Sequence, residues 1–307
     1  MRHLLITGAS GLLGANLLLE GVDAGYRVSA VCNQHPLQLV GAEVFCCDLA
    51  APGVAMELLQ RVRPDAVIHC AAATNVDVCE DDREMAFRLN RDMAAAVAQA
   101  GRSVGAHVIH ISTDAVFDGE KGNYAEEDPP RPINVYAESK LAGEQAVRRA
   151  DPSAAIIRTN LFGWNAQNKL SLSEWFLNRL QSDDPVPGFH DVWFSPILVN
   201  DLAHVLFMVA ERQLEGLYHI GGRDCLSKYA FGQAIAAVFG LQPACLQSVS
   251  VDDVALRAQR SKRLCLQVGR IQKAVDETMP AVHAGLRRMA ELQGRYRTRL
   301  KDMLVQA

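Results

Sequence analysis

The chain reads Thr7-Gly8-Ala9-Ser10-Gly11-Leu12-Leu13-Gly14 between an apolar run, residues 3–7, and a helix-patterned run, residues 15–20. A strand-to-helix turn needs glycine where φ is positive, and a pyrophosphate approaches the backbone closely only where no Cβ intervenes. The helix that follows offers free N–H groups and a partial positive charge to phosphates. The stretch therefore predicts a dinucleotide-binding loop whose contacts come from Gly8, Ser10, Gly11, Leu12, Leu13 and Gly14. A glycine-rich turn used only for tight packing is the alternative.

The glycines are spaced Gly-x-x-Gly-x-x-Gly, which differs from the common Gly-x-Gly-x-x-Gly fingerprint. A P-loop is excluded because no Gly-Lys-Ser/Thr follows.

The rest of the N-terminal half alternates short β-branched runs with helix-patterned stretches, which is typical of a parallel sheet covered by helices. We predict strands near residues 3–7, 27–32, 43–46, 66–70, 107–111 and 154–158, with a helix over 93–100. The fold class is therefore α/β, a doubly wound parallel sheet of Rossmann type with a smaller C-terminal substrate lobe. We predict a dinucleotide-binding domain over 1–160 and the smaller mixed lobe over 161–307. A strand near 216–222 could rejoin the main sheet, as could other segments within 197–222. Residues 281–304 are expected to form an amphipathic helix.

Bulk composition narrows the function classes. Hydrophobic residues make up 49% of the chain and charged residues 21%, and the formal net charge is -4. No basic patch marks a nucleic-acid partner, and the first apolar run is too short for a signal sequence or a membrane span. The eight cysteines contain no Cys-x-x-Cys, so we predict reduced thiols, no metal site and a cytoplasmic location.

Tyr136 and Lys140 stand four residues apart in a segment that begins a helix well, with Asn134 as its predicted cap. An ammonium beside a phenol favours the ionised phenol and lowers its pKa, so the pair is predicted to exchange protons near neutral pH. Considered alone, such a pair is more often a half-buried aromatic beside a surface charge. The glycine loop upstream favours the catalytic interpretation.

A buried strand also delivers hydroxyl groups to its carboxyl end, where ligands bind in doubly wound sheets. This strand reads Ile109-His110-Ile111-Ser112-Thr113. We take Thr113 as the catalytic hydroxyl and Ser112 as its close rival.

Together these motifs resemble the extended short-chain dehydrogenase/reductases. The blocks 112–119 and 136–144 look specifically like the dTDP-4-dehydrorhamnose reductase branch. The resemblance assigns cofactor contacts to Asp48 and Leu49, to the small-residue segment Ala71, Ala72 and Ala73, to Asn90, and to Tyr136 and Lys140. It assigns substrate contacts to Val76, Asp114, Asn160, Trp164 and Trp193.

The resemblance implies hydride transfer from a reduced nicotinamide to the ketone of a nucleotide-linked 4-keto-6-deoxy sugar. Tyr136 would protonate the developing alkoxide and Thr113 would hydrogen-bond the same oxygen. Lys140 would hold the nicotinamide ribose, and Asn90 would help to hold the water or backbone geometry for proton supply. The expected partner is thus a small-molecule nucleotide sugar, with a homodimer as the oligomeric form to test.

Cofactor choice depends on the end of the second strand. An acidic side chain there would accept hydrogen bonds from the ribose of NAD and repel the extra phosphate of NADP. None lies between Arg27 and Glu43. Asn33 and His35 can donate to a 2′-phosphate, and Arg27 is near in sequence. We predict NADP(H) as the preferred cofactor, with NAD(H) also accepted.

Three alternatives remain. A sugar-nucleotide dehydratase is disfavoured because Ala115, and not glutamate, follows Asp114. An epimerase normally has an acidic residue where this chain has Cys32-Asn33-Gln34-His35. A non-catalytic, NADP-binding regulatory subunit is also open, since the reductase branch resembles the β subunit of methionine adenosyltransferase.

Overall fold

The fold is built on parallel strands, as seen in a computed structural model that describes residues 2–182 and 184–305. Apolar, fully buried runs such as Leu4 to Ile6 form the central strands. The described strands are β1 (His3–Thr7), β2 (Arg27–Cys32), β3 (Ala42–Cys46), β4 (Ala66–His69), β5 (His107–Thr113), β6 (Ala155–Thr159), β7 (Leu161–Phe162), β8 (Val186–Phe189), β9 (Trp193–Phe194), β10 (Ile197–Leu198), β11 (Gly216–Ile220), β12 (Leu226–Ser227), β13 (Leu246–Val249) and β14 (Arg263–Leu264).

Seven of these strands form the main sheet in the order β11-β6-β5-β4-β1-β2-β3. Every neighbouring pair is parallel, with registers such as Thr7 opposite both Val31 and His69. Strand order reverses between β1 and β4, and ligands bind outside the carboxyl ends of strands at such a switch point. The predicted doubly wound sheet is confirmed.

Helices cover both faces of this sheet. α1 and α8 pack on one face, and α2, α5 and α6 on the other. The described α-helices are α1 (Leu12–Asp23), α2 (Val54–Val62), α3 (Val76–Asp81), α4 (Arg83–Phe87), α5 (Met93–Ser103), α6 (Val135–Ala150), α7 (Leu172–Gln181), α8 (Val199–Arg212), α9 (Lys228–Phe239), α10 (Gly269–Val275), α11 (Val282–Glu291) and α12 (Arg295–Asp302). A π-helical turn, Arg88–Asp92, joins α4 to α5.

The C-terminal part adds three small sheets: β7 with β10, β9 between β12 and β14, and β8 with β13. As predicted, residues 216–220 return to the main sheet, where β11 pairs with β6. One continuous core joins residues of both parts, including Leu4, Phe162, Phe231 and Met289. The division at residue 160 therefore stays a proposal about function and does not separate two cores.

Two local predictions change. Residues 281–304 form two helices, α11 and α12, because the chain breaks at Gly294, where ψ is -115°. Reduced thiols were predicted for all cysteines, but Cys225 and Cys265 are joined by a disulfide with a Cα–Cα distance of 5.6 Å. Their separation of 40 residues hides this pairing from sequence patterns.

Among the described helices, none combines the length and apolarity needed to cross a membrane.

Candidate active site

The glycine loop connects β1 to α1, and its three glycines are not equivalent. Gly8 has φ +62°, and a Cβ there would lie 2.7 Å from the Ala71 amide nitrogen. A Cβ on Gly14 would lie 2.2 Å from the Gly8 carbonyl oxygen. Gly11 has an ordinary φ of -79°, and its Cβ would meet only the Gly8 carbonyl, at 3.2 Å. Packing thus requires Gly8 and Gly14, whereas Gly11 leaves open a space that a side chain would fill.

That space belongs to a cavity of about 760 Å³ at the carboxyl ends of the main-sheet strands, a size suited to a large ligand. It runs from the end of β2, across the glycine loop, to the end of β5. The predicted site residues that line it are Gly8, Ser10, Gly11, Leu12, Leu13, Gly14, Asn33, His35, Asp48, Leu49, Ala71, Ala72, Thr113, Tyr136, Lys140 and Asn160. The open cradle at Gly11 and the helix N-terminus behind it fit the pyrophosphate of a dinucleotide.

At the β2 end of the cavity, Asn33 and His35 face the space and Asp48 is the one acidic residue among the described lining residues. Asp48 Oδ1 accepts a hydrogen bond from the Ala50 amide, so it closes its own turn (3.0 Å). Arg27 is not part of this site. It begins β2 and pairs with His3 at the amino ends of the strands, whereas the cavity lies at their carboxyl ends. Its suggested proximity to a 2′-phosphate is therefore wrong.

At the β5 end, Thr113, Tyr136 and Lys140 line one wall together. Asn134 begins α6 as predicted, because its side chain accepts a hydrogen bond from the Ala137 amide (2.9 Å). Lys140 is 3% exposed, and its Nζ donates to the Ile111 carbonyl oxygen (2.7 Å). The rival hydroxyl, Ser112, donates to the buried Glu144 carboxylate (2.5 Å). Thr113, whose hydroxyl donates to Asp114, is the strand hydroxyl within hydrogen-bond reach of Tyr136.

The acid–base character of the pair differs from the prediction. Tyr136 is half-buried, and burial raises its pKa to about 12, against a lowering hydrogen bond with Thr113. Burial also lowers the pKa of Lys140 to about 8, against the raising effect of Glu144. Burial outweighs the hydrogen bond with Thr113, and the charge of Lys140 is not among the causes of the shift, so the predicted lowering of the tyrosine pKa is absent. A phenol with this pKa is protonated at neutral pH, as a proton donor must be.

Asp114 lies directly beneath the threonine. It is 2% exposed and accepts hydrogen bonds from Asn160 Nδ2 (2.9 Å) and from the Thr113 hydroxyl (3.2 Å). Burial raises the pKa of Asp114 to about 6, opposed by these hydrogen bonds and by the charge of Lys228. Its predicted substrate contact therefore runs through Thr113 and Asn160, since the carboxylate itself does not line the cavity.

Two residues assigned to the cofactor lie behind the cavity wall. Asn90, in the π-helical turn, is 1% exposed and bonds both backbone groups of Ala73. Neither residue lines the cavity. Asn90 is thus placed to hold the wall of the site, and the direct cofactor contact assigned to it and to Ala73 stays a prediction.

The substrate residues beyond the main sheet are dispersed. Trp164 is 1% exposed, and its Nε1 donates to the Met289 carbonyl oxygen (2.8 Å), so the predicted substrate contact is wrong. It packs under the C-terminal helices, which cover it. Val76 begins α3 and is half-buried, outside the described cavities. Trp193 on β9 is 40% exposed and remains available to a ligand.

Several residues at or near the site were not predicted. A segment after β7, including Gln167 and Lys169, lines the cavity beside the glycine loop. Lys228, at the start of α9, is half-buried, and burial lowers its pKa against the effect of Asp114. No local pattern marks these positions, because the C-terminal part brings them to the sheet from far along the chain.

Known proteins provide an independent comparison. The family model described as RmlD substrate binding domain matches residues 1–294. The probable low-salt glycan biosynthesis reductase Agl14 of Haloferax volcanii is 31% identical, over 92% of this chain and 96% of its own. Methionine adenosyltransferase 2 subunit beta of Danio rerio is 32% identical, over 88% of this chain and 84% of its own.

A solved structure has the same architecture. The crystal structure of dTDP-4-dehydrorhamnose reductase from Bacillus anthracis str. Ames in complex with NADP superposes with a TM-score of 0.82 at 28% identity. The match covers 94% of this chain and 99% of that one. With a family match over nearly its whole length, and the glycine loop and Tyr136–Lys140 pair on one cavity, the chain belongs to the RmlD substrate-binding-domain family of the extended short-chain dehydrogenase/reductases.

Proposed function

We propose that the chain is an NAD(P)H-dependent reductase that converts a nucleotide-linked 4-keto-6-deoxy sugar to its alcohol. The observation that carries the proposal is the single cavity that joins the Gly11 cradle to Thr113, Tyr136 and Lys140. A dinucleotide laid along the glycine loop would reach these side chains at the end of β5. The similarity to a glycan biosynthesis reductase and to a dTDP-4-dehydrorhamnose reductase structure supports the same activity.

A reduced nicotinamide would supply hydride to the ketone carbon, and the chain would manage the proton. Tyr136 would give its phenolic proton to the carbonyl oxygen, so that the ketone becomes an alcohol and the tyrosine a phenolate. Thr113 would hydrogen-bond the same oxygen. Lys140 would stabilise the phenolate as it forms and hold the nicotinamide ribose, with its ammonium already fixed by the Ile111 carbonyl oxygen.

The sugar would lie between this wall and the C-terminal part. Asn160, which is locked to Asp114, offers a polar edge for sugar hydroxyls, and the exposed Trp193 offers an aromatic face. Lys228 adds a positive charge near Asp114. This set of groups suits a polar, anionic ligand such as a nucleotide sugar.

The test is turnover. The purified chain would be mixed with NADPH and a panel of 4-keto sugar nucleotides that differ in sugar and in base, and loss of reduced nicotinamide absorbance would be followed. We expect one member to be reduced and the alcohol to be identified by mass. No turnover with any 4-keto sugar nucleotide would overturn the proposal.

The second candidate is a non-catalytic regulatory subunit, because the chain is 32% identical to methionine adenosyltransferase 2 subunit beta of Danio rerio. Retention of Thr113, Tyr136 and Lys140 on one cavity favours an enzyme. Binding of NADP with no turnover across the panel, together with co-elution with a methionine adenosyltransferase catalytic subunit, would favour the regulatory function. An epimerase is the third candidate, and retention of an oxidised cofactor through purification would indicate it.

The proposal includes a cytoplasmic location and a homodimer. Cell fractionation tests the first, and light scattering tests the second. In cells, Cys225 and Cys265 would have to be reduced thiols and not a disulfide for the cytoplasmic location to agree with the redox state of the cytoplasm.

A further inference from the structure

The segment from Asn165 to Ser171, here called the strap, lines the cavity beside the glycine loop. Gln167 Nε2 donates to the Ser10 carbonyl oxygen (2.9 Å), which fixes the strap to the loop. Asn165 Nδ2 donates to the Lys169 carbonyl oxygen (2.7 Å), so the strap is closed on itself. Lys301 on α12 donates to the Gln167 carbonyl oxygen (2.8 Å). The strap is thus held from both sides and has a defined position over the cavity.

Lys169 is the charged side chain that the strap contributes to the cavity lining. It is exposed, and it forms no side-chain hydrogen bond or salt bridge within the described part of the chain. The other lysine among the described lining residues is Lys140, whose ammonium is bound to the Ile111 carbonyl oxygen. Lys169 is therefore the cation of this wall that has all its donors available.

The cavity needs such a cation if it takes a dinucleotide. Asp48 is the acidic lining residue and closes its own turn, so no lining carboxylate is bound to Lys169. A dinucleotide brings at least two phosphate charges, and the glycine loop with the helix N-terminus supplies only neutral N–H groups and a partial charge. An ammonium on the strap, beside that loop, would complete the anion site.

We propose that Lys169 binds a phosphate group of the dinucleotide and is a cofactor-affinity residue of this chain. The inference rests on the proposed function, since it requires a nicotinamide dinucleotide in the cavity. Lys169 also supplies a cation that the carboxyl end of β2 lacks, because Arg27 lies at the amino end of that strand.

Two phosphate sites of the dinucleotide are candidates for contact with Lys169: the pyrophosphate and the 2′-phosphate. The strap is anchored at Ser10, beside the place of the pyrophosphate. The segment after α12 also pairs with the loop after β2, since the Val305 amide donates to the Pro36 carbonyl oxygen (3.1 Å). Through Lys301 and this pairing, the C-terminal segment connects the strap to the loop of Asn33 and His35, where a 2′-phosphate would lie. The pyrophosphate and the 2′-phosphate both carry negatively charged oxygens, and the ammonium of Lys169 suits either.

The experiment is a titration of NADPH and of NADH into the full chain, followed by nicotinamide fluorescence at low salt. Lys169→Ala and Lys169→Gln are compared with the unchanged chain. Lys273→Ala is the matched control, because Lys273 is an exposed lysine on α10, away from the cavity. Circular dichroism checks folding, and Gln167→Ala tests the anchor of the strap without altering charge.

We expect both Lys169 variants to bind NADPH roughly three- to tenfold more weakly, with the difference shrinking as salt screens the charge. Lys273→Ala should bind as the unchanged chain does. A loss for NADPH alone would assign Lys169 to the 2′-phosphate, and equal losses for both cofactors would assign it to the pyrophosphate. Gln167→Ala should weaken binding in the same direction, by a smaller factor.

Failure of the inference about Lys169 and failure of the proposed function give different results. If the unchanged chain binds NADPH or NADH and both Lys169 variants bind within twofold of it, the inference about Lys169 is wrong and the proposed function stands. If the unchanged chain binds neither dinucleotide, the proposed function is wrong and the inference falls with it.

Discussion

Asn90 and Ala73 exchange two hydrogen bonds: the Ala73 amide donates to Asn90 Oδ1 (2.8 Å), and Asn90 Nδ2 donates to the Ala73 carbonyl oxygen (3.0 Å). The same Nδ2 also donates to Ser139 Oγ (2.9 Å), on the helix that carries Tyr136 and Lys140. Asn90 is 1% exposed, so water cannot replace these bonds. One amide side chain therefore ties the segment after β4 to α6, and with it two walls of the site.

Asn90→Ala should destabilise the fold by about 2–3 kcal/mol, because it leaves buried backbone and hydroxyl groups without partners. Urea denaturation measures the loss. Asn178→Ala, at an exposed position of α7, is the control and should change stability little. A loss of less than about 0.5 kcal/mol for Asn90→Ala would show that the cross-link is not a structural requirement.

Tyr136→Phe should lower kcat by at least about a hundredfold while leaving the dissociation constant for NADPH nearly unchanged, since it removes a proton donor and little volume. Lys140→Ala should impair both turnover and cofactor binding. Tyr229→Phe on α9, outside the cavity lining, controls for loss of a tyrosine hydroxyl. A reduction of less than tenfold for Tyr136→Phe would remove this residue from the proposed chemistry.

Gly11→Val should weaken cofactor binding by at least about tenfold, because its side chain fills the cradle that a pyrophosphate needs. The fold should survive, since its Cβ meets only the Gly8 carbonyl, at 3.2 Å. Gly14→Ala is the contrasting variant and should unfold the loop, where its Cβ would lie 2.2 Å from the same oxygen. Native-like circular dichroism with unchanged NADPH affinity in Gly11→Val would contradict the cradle assignment.

NADPH should be preferred over NADH by about tenfold, or roughly 1.4 kcal/mol. Asn33 and His35 face the cavity and can donate to a 2′-phosphate, and the acidic Asp48 is engaged with its own turn. Discrimination stays modest because no arginine offers a bidentate contact among the described lining residues. Steady-state kcat/KM with both cofactors decides the matter, and a clear preference for NADH would make this assignment wrong.

Stability should fall as the pH drops below 6.5. Burial lowers the pKa of His69 and His219 to about 3 and that of His110 well below 6.5. Between the folded and unfolded values only the unfolded chain binds these protons, so His69 and His219 each destabilise the fold by about 1.4 kcal/mol at pH 5.5, and His110 acts in the same direction. The raised pKa of Asp114, about 6, acts in the opposite direction by somewhat less than about 1 kcal/mol.

Urea unfolding at pH 7.5 and 5.5 should therefore show a net loss of about 2 kcal/mol from His69, His219 and Asp114, with a further loss from His110. His110→Leu removes a ring whose two nitrogens have no partner, and it should make the loss smaller. His283→Ala, at an exposed position of α11, is the control. Equal pH dependence in His110→Leu and in the unchanged chain would refute the explanation.

The parts of the site that sequence predicted are those that chain neighbours create. The glycine loop and the Tyr136–Lys140 pair each lie within one turn or one helix, so their spacing already determines which side chains face the same way. The order of β-branched runs likewise predicted the parallel sheet. Even the Asn134 cap is a contact over three residues.

What sequence did not predict depends on distant segments. Trp164 is buried because Met289 and Arg297 arrive from helices more than a hundred residues later. The pKa of Tyr136 is raised by burial in the folded chain, and its helical neighbour Lys140 is not a cause of the shift. The Cys225–Cys265 pair, the strap and Lys228 are assembled only when the C-terminal part packs on the sheet.

The pairing of β11 with β6 makes the main sheet depend on both halves of the chain. A fragment ending at residue 160 would leave the β6 edge without its partner and uncover the apolar surface of α1 on which α8 packs. Such an edge and such a surface invite aggregation. The C-terminal half is therefore not a module that can be detached. Transplanting it would remove a wall of the nucleotide-binding architecture, so substrate recognition in this scaffold must change, in evolution or by engineering, through its loops.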